Sequence, residues 1–507
     1  VLWLAASPGP KGYERFPYLV QALVDLGLDV PISSNRLWAF LDTSYRTRVD
    51  VEYFADRWKR MGIGVLHLAA WHYNEPDPER DEWLRKLIAA CHARGVLVYA
   101  WIELPHVSER FWQDHPEWRE KTALLQDAHL DWRKLMNLRN RDCARAVETE
   151  TRALMKRFDW DGLNIGELYY ESLEGAANPA RFTPMNGDIR TEYKNLSGID
   201  PLDLFRPGTK PEAMAEFLQY RAESVRRLQS EWMGVAESMR VSKPWLGLVL
   251  THVDDRFDTR MRELIGADAA RVLPLLEKQD FIFLIEDPAT VWHLGPARYA
   301  QIASRYKPIT PRQDRLAIDI NIVERYQDVY PTKQQTGTEL FELVNIAARS
   351  FRRVALYFEN SIPKVDMDLL PAAAAAVSKF ERNGASLIVE SPHGVGVHWK
   401  GPALVDGKQW PVAETNGSVW LPPGAHVITA GSPVANTLRV ERLNADLRSA
   451  SIKGASTEFA YESGSRATAL LNRKPSVVEI DGQAVEPQWF GELTLVLPRG
   501  QHVITLR

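Results

Sequence analysis

Acidic residues recur where short apolar runs of this sequence end. Eight such runs lie between residues 36 and 375, and the acids at or just beyond their ends are Asp42, Glu103, Glu167, Asp254, Asp255, Glu286, Asp287, Asp319, Glu324 and Glu359. Carboxyl groups are costly to bury, so acids that converge on one face of a fold indicate a site. Hydrolysis of a glycosidic bond needs two of them, one to donate a proton and one to act as nucleophile or base.

Aromatic and hydrogen-bonding side chains accompany these acids. The chain has 17 tryptophans among 507 residues. Aromatic faces pack against the C–H faces of sugars, and acids bind hydroxyl groups, so acids mixed with Trp and Tyr favour a carbohydrate ligand. The predicted sugar-binding residues are Asp42, Trp71, His72, Trp101, Glu103, His106, Tyr169, Tyr170, His252, Asp319 and Glu359.

Two acids are the predicted catalytic pair. Glu167 ends a segment with Gly166 before it, which would leave room for a ligand, and Tyr169 and Tyr170 follow. Glu286 is the preferred second carboxyl, with Asp319 and Glu359 as rivals. For Glu103 and Asp255, a salt bridge to a loop arginine or a helix cap is an equally good explanation.

The apolar runs are nearly continuous in Val, Ile, Leu and aromatic residues, as strands buried on both faces of a parallel sheet are. Helical periodicity separates them. The predicted strands are Leu37–Leu41, Gly64–Ala70, Val96–Ile102, Gly162–Ile165, Trp245–Leu250, Phe281–Ile285, Leu316–Ile320 and Val354–Phe358. The predicted helices are Val51–Met61, Asp81–Arg94, Arg145–Phe158, Glu212–Met239, Met261–Lys278, Arg298–Tyr306, Glu339–Phe351 and Leu369–Phe380.

Eight alternating strands and helices predict a (β/α)8 barrel over residues 36–384. Strand-end acids then lie at its C-terminal face, where barrel enzymes carry their active sites. Two long loops leave the same face, from Leu104 to about Asn140 and from Leu168 to about Lys210, and we expect them to form cleft walls.

Residues 385–507 are predicted to form a C-terminal β-sandwich with an internal repeat. Asp406-Gly407 and Asp481-Gly482 each precede a Leu-Pro-x-Gly turn and a strand that contains His426 or His502. We expect a shared turn geometry for these histidines rather than a metal site. Residues 1–35 are a leading element, with a predicted strand and then a helix over Tyr18–Leu28.

Composition excludes several classes of protein. Lys plus Arg number 62 against 66 for Asp plus Glu, a net charge of −4 that disfavours nucleic-acid binding. No apolar run reaches the length of a membrane span. The chain starts Val1-Leu2-Trp3-Leu4 and not with Met, so we expect a mature or truncated form from which any localisation signal is missing.

Other chemistries lack their signatures. A phosphate-binding barrel would have glycine-rich turns after its last two strands, and this chain has only Arg325 and Lys333 there. A metal-dependent hydrolase would carry His-x-His on the first strand, which ends here in Leu41-Asp42-Thr43. No cofactor and no metal are therefore expected, and no nucleophile elbow occurs.

Two segments resemble those of bacterial glycoside hydrolase-like barrels. The segment from Asp159 to Glu167 is similar to their "DG-apolar-x-apolar" strand, and Val98–Glu103 followed by His115-Pro116-Glu117-Trp118 is similar to their strand 3 and "HPEW" segment. The group includes the hydrolase half of poly-N-acetylglucosamine deacetylases, which process exopolysaccharide. The resemblance implies a catalytic carboxylate at the end of strand 4, although those families generally place an Asp where this chain has Gly166.

The sequence thus predicts a glycoside hydrolase that cleaves a polysaccharide internally, such as a bacterial exopolysaccharide, and we expect it to be a secreted or periplasmic bacterial protein. One alternative is a carbohydrate-binding scaffold barrel without activity. Another is the accessory part of a larger deacetylase or hydrolase.

Overall fold

A computed structural model describes residues 16–45, 49–130, 133–172, 174–323, 333–415, 417–434 and 437–507. The predicted strand at the start of the chain and Glu324 and Arg325 lie outside this part. Eight parallel strands close into a barrel in sequential order. They are β1 (Leu37–Leu41), β2 (Ile63–Ala69), β3 (Leu97–Glu103), β4 (Gly162–Gly166), β5 (Gly247–Val253), β6 (Ile282–Glu286), β7 (Leu316–Asn321) and β8 (Arg353–Tyr357). The predicted fold class, a (β/α)8 barrel followed by a β-sandwich, is confirmed.

Helices surround the barrel and bury their apolar faces against it. The described α-helices are Phe16–Asp25, Val51–Arg60, Pro78–Ala93, Glu109–Asp114, Arg141–Arg157, Gly187–Ser197, Pro211–Ser238, Met261–Ile265, Ala269–Val272, Arg298–Tyr306, Gly337–Ser350 and Leu370–Ala373. Residues such as Leu87, Val147 and Leu343 fill the layer between helices and strands.

Two helix predictions need correction. The predicted helix Met261–Lys278 is broken after Ile265, because Gly266 takes a left-handed conformation with φ of 76° and caps the first piece. The predicted helix Leu369–Phe380 ends at Ala373. The chain beyond it becomes extended, and Lys379–Asn383 pairs antiparallel with Ser386–Ser391, so strand pairing overrides the helical preference of the alanine run.

The chain after the barrel folds into two β modules that share the strand order of one five-stranded sheet. The first contains Lys379–Asn383, Ser386–Ser391, Val395–His398, Ala403–Val405, Lys408–Gln409, Ser418–Leu421 and Gly424–Ala430. The second contains Val440–Leu443, Asp446–Lys453, Ser456–Ser463, Ala467–Leu471, Val478–Ile480, Gln483–Val485, Trp489–Phe490, Thr494–Leu497 and Gly500–Leu506. Each has a five-stranded sheet in which corresponding strands occupy corresponding places.

The repeated histidines have the shared turn geometry that the sequence predicts. Nδ1 of His426 lies 2.7 Å from a carboxylate oxygen of Asp406, and Nδ1 of His502 lies 2.7 Å from one of Asp481. Both aspartates have a positive φ, 51° and 52°. Each pair closes a hairpin turn in its own module.

The leading element packs on both parts of the chain. Phe16 contacts Phe341 of the helix layer edge to face, with ring centroids 5.5 Å apart. Ile32–Ser33 pairs with Val397 and Gly396, so it adds an edge strand to the first β module. The structure places the helix at Phe16–Asp25, slightly earlier than the predicted Tyr18–Leu28.

The second β module covers the N-terminal end of the barrel. Asn444 donates hydrogen bonds to the carbonyls of Gly64 and Gly95, both at 2.7 Å. Asp161, the aspartate of the "DG" segment, is fully buried and accepts hydrogen bonds from His92 (2.8 Å), the backbone of Val98 (2.6 Å) and the guanidinium of Arg466. Burial would raise the pKa of Asp161, but Arg466 and His92 outweigh it and lower the pKa to about 2. This aspartate therefore joins barrel and module.

We expect Asp161→Asn to destabilise the protein by about 3 to 5 kcal/mol, because it removes the buried charged partner of Arg466 and leaves this guanidinium only the half-exposed Asp159. Urea denaturation of the full chain measures the loss. Asp142→Asn is the matched control, since that side chain is 71% exposed and pairs with Arg145 on the surface. A loss as small as that of the control would contradict a structural role for the ion pair.

Candidate active site

The C-terminal mouth of the barrel carries a cluster of carboxyl groups around one arginine. Arg133 forms ion pairs with Glu167 and Glu171, and its Nε lies 3.7 Å from a carboxylate oxygen of Glu103. Arg133 is buried, although it belongs to a short hairpin of the loop after β3. A buried guanidinium needs anionic partners, and here the carboxylates of Glu167 and Glu171 supply them.

Local backbone geometry fixes Glu167 at the end of β4. Its φ is 52°, a left-handed conformation that favours glycine and costs other residues free energy. Gly166 is required just before it, since a Cβ there would lie 2.9 Å from Nε1 of Trp101. The space that the sequence analysis left for a ligand beside Gly166 is thus occupied by the Trp101 indole.

Glu286 ends β6 and keeps its proton near neutral pH. Burial raises the pKa of Glu286 to about 8, with the negative charge of Glu167 as the next cause and a hydrogen bond from Asn321 acting against it. Burial also holds the pKa of Glu103 well above its usual range, and Glu167 adds to the effect. The cluster therefore combines neutral carboxyl groups with carboxylates that face Arg133.

Asp319 lies inside the barrel, beside Glu286. The two residues are register partners on the adjacent strands β7 and β6. Asp319 is 1% exposed, and its Oδ1 has no hydrogen-bond partner among the described residues. Burial and then Glu286 raise the pKa of Asp319 well above its usual range.

Aromatic side chains form one wall of the mouth. Trp101 lies between Trp71 and Tyr357, with ring centroids 4.5 Å and 5.9 Å away and nearly perpendicular planes. Burial, and next the charge of Glu103, raise the pKa of the Tyr357 phenol well above its usual value. The Tyr357 side chain therefore lies close to the acids. Tyr169 is likewise buried beside Glu167, and its pKa is also raised by burial and that charge.

Polar residues from the first three strands lie at the rim. Asp42 accepts a hydrogen bond from Nε2 of His72 at 2.9 Å, and both side chains remain partly exposed. Burial would raise the pKa of Asp42, but His72 and the Ser44 backbone outweigh it and lower the pKa. His106 accepts a hydrogen bond at Nδ1 from the Lys134 backbone, and burial followed by the charge of Arg133 lowers its pKa to about 3. His106 is therefore neutral and carries its proton on Nε2.

Three predicted sugar-binding residues have partners elsewhere. His252 is fully buried, 3.3 Å from Asp255, and packs on Phe283 of the neighbouring strand β6. Tyr170 shares a hydrogen bond of 2.9 Å with Ser224 of a surrounding helix. Glu359 lies 3.4 Å from Arg57 of another helix.

Other strand-end acids stabilise the loops that follow them. Asp254 accepts hydrogen bonds from the backbone of Phe257 and Asp258. Asp287 accepts them from Arg298 (2.8 Å) and Tyr299 (2.9 Å). These contacts explain both acids without a ligand.

The sequence analysis missed Arg133, Glu171 and Tyr357. Arg133 lies far from any strand end, in the long loop after β3, and only the surplus of acids at the mouth could have indicated a basic partner. Glu171 follows Glu167 by four residues, and Tyr357 is the last residue of β8. Among the described residues, no group of three or more His, Cys, Asp or Glu side chains is arranged to hold a metal ion.

No protein-family model and no curated protein matches this chain. Similar solved structures are glycoside hydrolases. A β-galactosidase from the psychrophilic Marinomonas ef1 aligns with 67% of this chain and 59% of its own at 11% identity, with a TM-score of 0.49. A β-galactosidase from the haloarchaeon Halorubrum lacusprofundi aligns with 67% of this chain and 57% of its own at 14% identity, with a TM-score of 0.48.

A maltogenic α-amylase from Thermotoga neapolitana aligns over 79% of this chain and 97% of its own, at 11% identity and a TM-score of 0.40. The aligned region spans less than two thirds of the length of each β-galactosidase. Likenesses of this size carry no argument about activity, and the barrel assignment rests on the strand pairing itself.

The strained backbone of Glu167 predicts a difference between two substitutions. Glu167→Gln and Glu167→Gly both remove the carboxylate, but only glycine relieves the positive φ. We expect Glu167→Gly to be more stable than Glu167→Gln by about 1 kcal/mol in chemical denaturation. Equal stability would mean that the position is not strained.

Proposed function

We propose that this protein is a glycoside hydrolase in which Glu286 donates a proton and Glu167 acts as the carboxylate. The observation that carries the proposal is the contrast between the two acids. Glu167 is ion-paired with Arg133, whereas burial and the charge of Glu167 raise the pKa of Glu286 to about 8. Two carboxyl groups whose environments differ in this way supply the acid and the nucleophile or base that the reaction needs.

The reaction follows from these protonation states. Glu286 protonates the glycosidic oxygen as the bond to the anomeric carbon breaks, and the leaving sugar departs as an alcohol. Glu167 either takes a proton from the water that attacks the anomeric carbon, or attacks that carbon itself. In the second case the deprotonated Glu286 then takes a proton from a water, which breaks the bond between the sugar and Glu167 and releases the product. Asn321, with Nδ2 3.4 Å from a Glu286 oxygen, orients the acid.

The proposed substrate is a polysaccharide that is cleaved internally. Supporting this, two long loops border the mouth and share a small apolar core that includes Ala123, Phe182 and Phe217. Trp71 and Trp101 offer aromatic surface beside the acids, and Asp42 and His72 offer hydrogen bonds at the rim. A bacterial exopolysaccharide is the proposed source, and a secreted or periplasmic location is part of the same proposal. No helix within the described ranges has the length and apolar character needed to cross a membrane.

Glu167→Gln and Glu286→Gln should each lower oligosaccharide release by about 100-fold or more, because each removes one half of the acid–base pair. The assay is a screen of purified full chain against bacterial and plant polysaccharides. Glu109→Gln is the matched control, since that side chain lies in the same loop region and is 56% exposed. If only one of the two variants loses activity, the second catalytic carboxyl group would be Asp319 instead.

One observation favours a second candidate, a carbohydrate-binding scaffold: Arg133 already holds the Glu167 carboxylate. That candidate predicts that polysaccharide binds to the wild type with no release of product. Release only from a longer protein that contains this chain would instead support an accessory role.

Activity should fall as pH rises through about 8, because Glu286 must carry its proton and burial sets its pKa there. The measurement is kcat against pH on the substrate found in the screen. A rate that is still rising at pH 9 would contradict the assignment of Glu286 as the acid.

A further inference from the structure

A cavity lies at the end of the barrel that is opposite the acidic mouth. It has a volume of about 80 Å³ and is enclosed by the N-terminal ends of the barrel strands and by residues of the second β module. A single water needs about 10 to 15 Å³ by this kind of measure, so the cavity can hold several waters or one tetrahedral oxyanion. The side chains of Arg315 and Asp280, 19% and 34% exposed, connect it to solvent.

The charged groups of its wall are balanced. The arginines are Arg240, Arg315, Arg352 and Arg353. The acids are Asp280, Asp314, Asp446 and Glu462. Both Arg352 and Arg353 contact the same Asp446 oxygen at 2.5 Å, and Arg315 lies 2.8 Å from Asp280. Each acid is thus already engaged with arginine.

Behind the wall, arginines outnumber acids. Among the described residues, Arg312, Arg448 and Arg499 pair with acids of the wall, whereas Glu237 pairs with Arg240. Arg36 is buried next to Arg352 and donates a hydrogen bond of 2.5 Å to its carbonyl. Within the set made of the wall, these partners and Arg36, eight arginines therefore stand against five acids.

The neighbouring arginines contribute to two lowered pKa values, in each of which burial is the larger cause. Burial and then the neighbouring Arg353 lower the pKa of Arg36 to about 9. Burial and then Arg36 also lower the pKa of His393 to about 3. A multivalent anion would relieve this repulsion, and guanidinium groups bind tetrahedral oxyanions with paired hydrogen bonds.

We propose that this cavity is a binding site for a phosphate-like oxyanion at the junction of barrel and second β module. Arg315 comes from the barrel side and lies opposite the turn around Gly464, where a Cβ would be 3.6 Å from its Nη1. A bound anion would join the two parts of the chain, independently of the proposed hydrolase activity.

Isothermal titration calorimetry of the full chain with inorganic phosphate, at constant ionic strength in sodium chloride, tests the proposal. We expect saturable binding that Arg315→Gln and Arg353→Gln each weaken at least tenfold. Both variants should fold, because Asp280 keeps Arg240 and Arg499 and Asp446 keeps Arg352. Arg145→Gln, whose side chain is 74% exposed on a distant helix, is the control and should bind as the wild type does.

Absence of saturable binding, or equal binding by wild type and both cavity variants, would overturn the proposal. A hexose phosphate in the same titration separates two sources of the oxyanion. Tighter binding than inorganic phosphate assigns the site to an organic phosphate, and weaker binding assigns it to the free anion.

Discussion

The ion pairs of Arg133 are the constraint on which the acidic mouth depends. Several carboxyl groups at the ends of parallel strands would repel one another if all were charged. Arg133 compensates Glu167 and Glu171, while Glu103 and Glu286 remain neutral because burial and the charge of Glu167 raise their pKa values. One buried cation thus allows carboxylates and carboxylic acids to coexist, and the barrel supplies the rigid strands that hold them.

The same use of buried arginine recurs at the other end of the barrel. Arg466 of the second β module binds Asp161 just before β4, and Arg352 and Arg353 bind Asp446. The two ends differ in the sign of the excess charge, acidic at the mouth and basic at the junction. The "DG" aspartate of the strand-4 segment is part of this structural junction, and the candidate catalytic residue stands at the opposite end of the same strand.

Much of the fold could be predicted from the sequence because the barrel strands are buried on both faces and read as continuous apolar runs. All eight predicted strands are confirmed within one or two residues at most ends. The predicted helix Leu369–Phe380 was wrong beyond Ala373. The alanines that follow are buried without continuing the helix, and Lys379 and Phe380 belong to a β-strand. The hydrophobic periodicity of a segment does not indicate that the segment pairs with another strand.

The candidate site was predictable only in part. Strand-end position identified Glu103, Glu167 and Glu286, whose side chains the barrel brings together. It also selected Glu359, which begins a short 3-10 turn after β8 and pairs with Arg57 of a helix, so the alternation of the strand does not set its direction. Arg133 escaped prediction because a residue that reaches the mouth from a loop has no periodic pattern.

The protonation state of Glu286 tests the account most directly. Infrared difference titration of the full chain, with Glu286→Gln to assign the signal, follows this one carboxyl group. The account predicts a midpoint near pH 8 that moves lower in Glu167→Gln, because the charge of Glu167 contributes to the raised pKa. A midpoint near the ordinary value of 4.5, unchanged by Glu167→Gln, would contradict it.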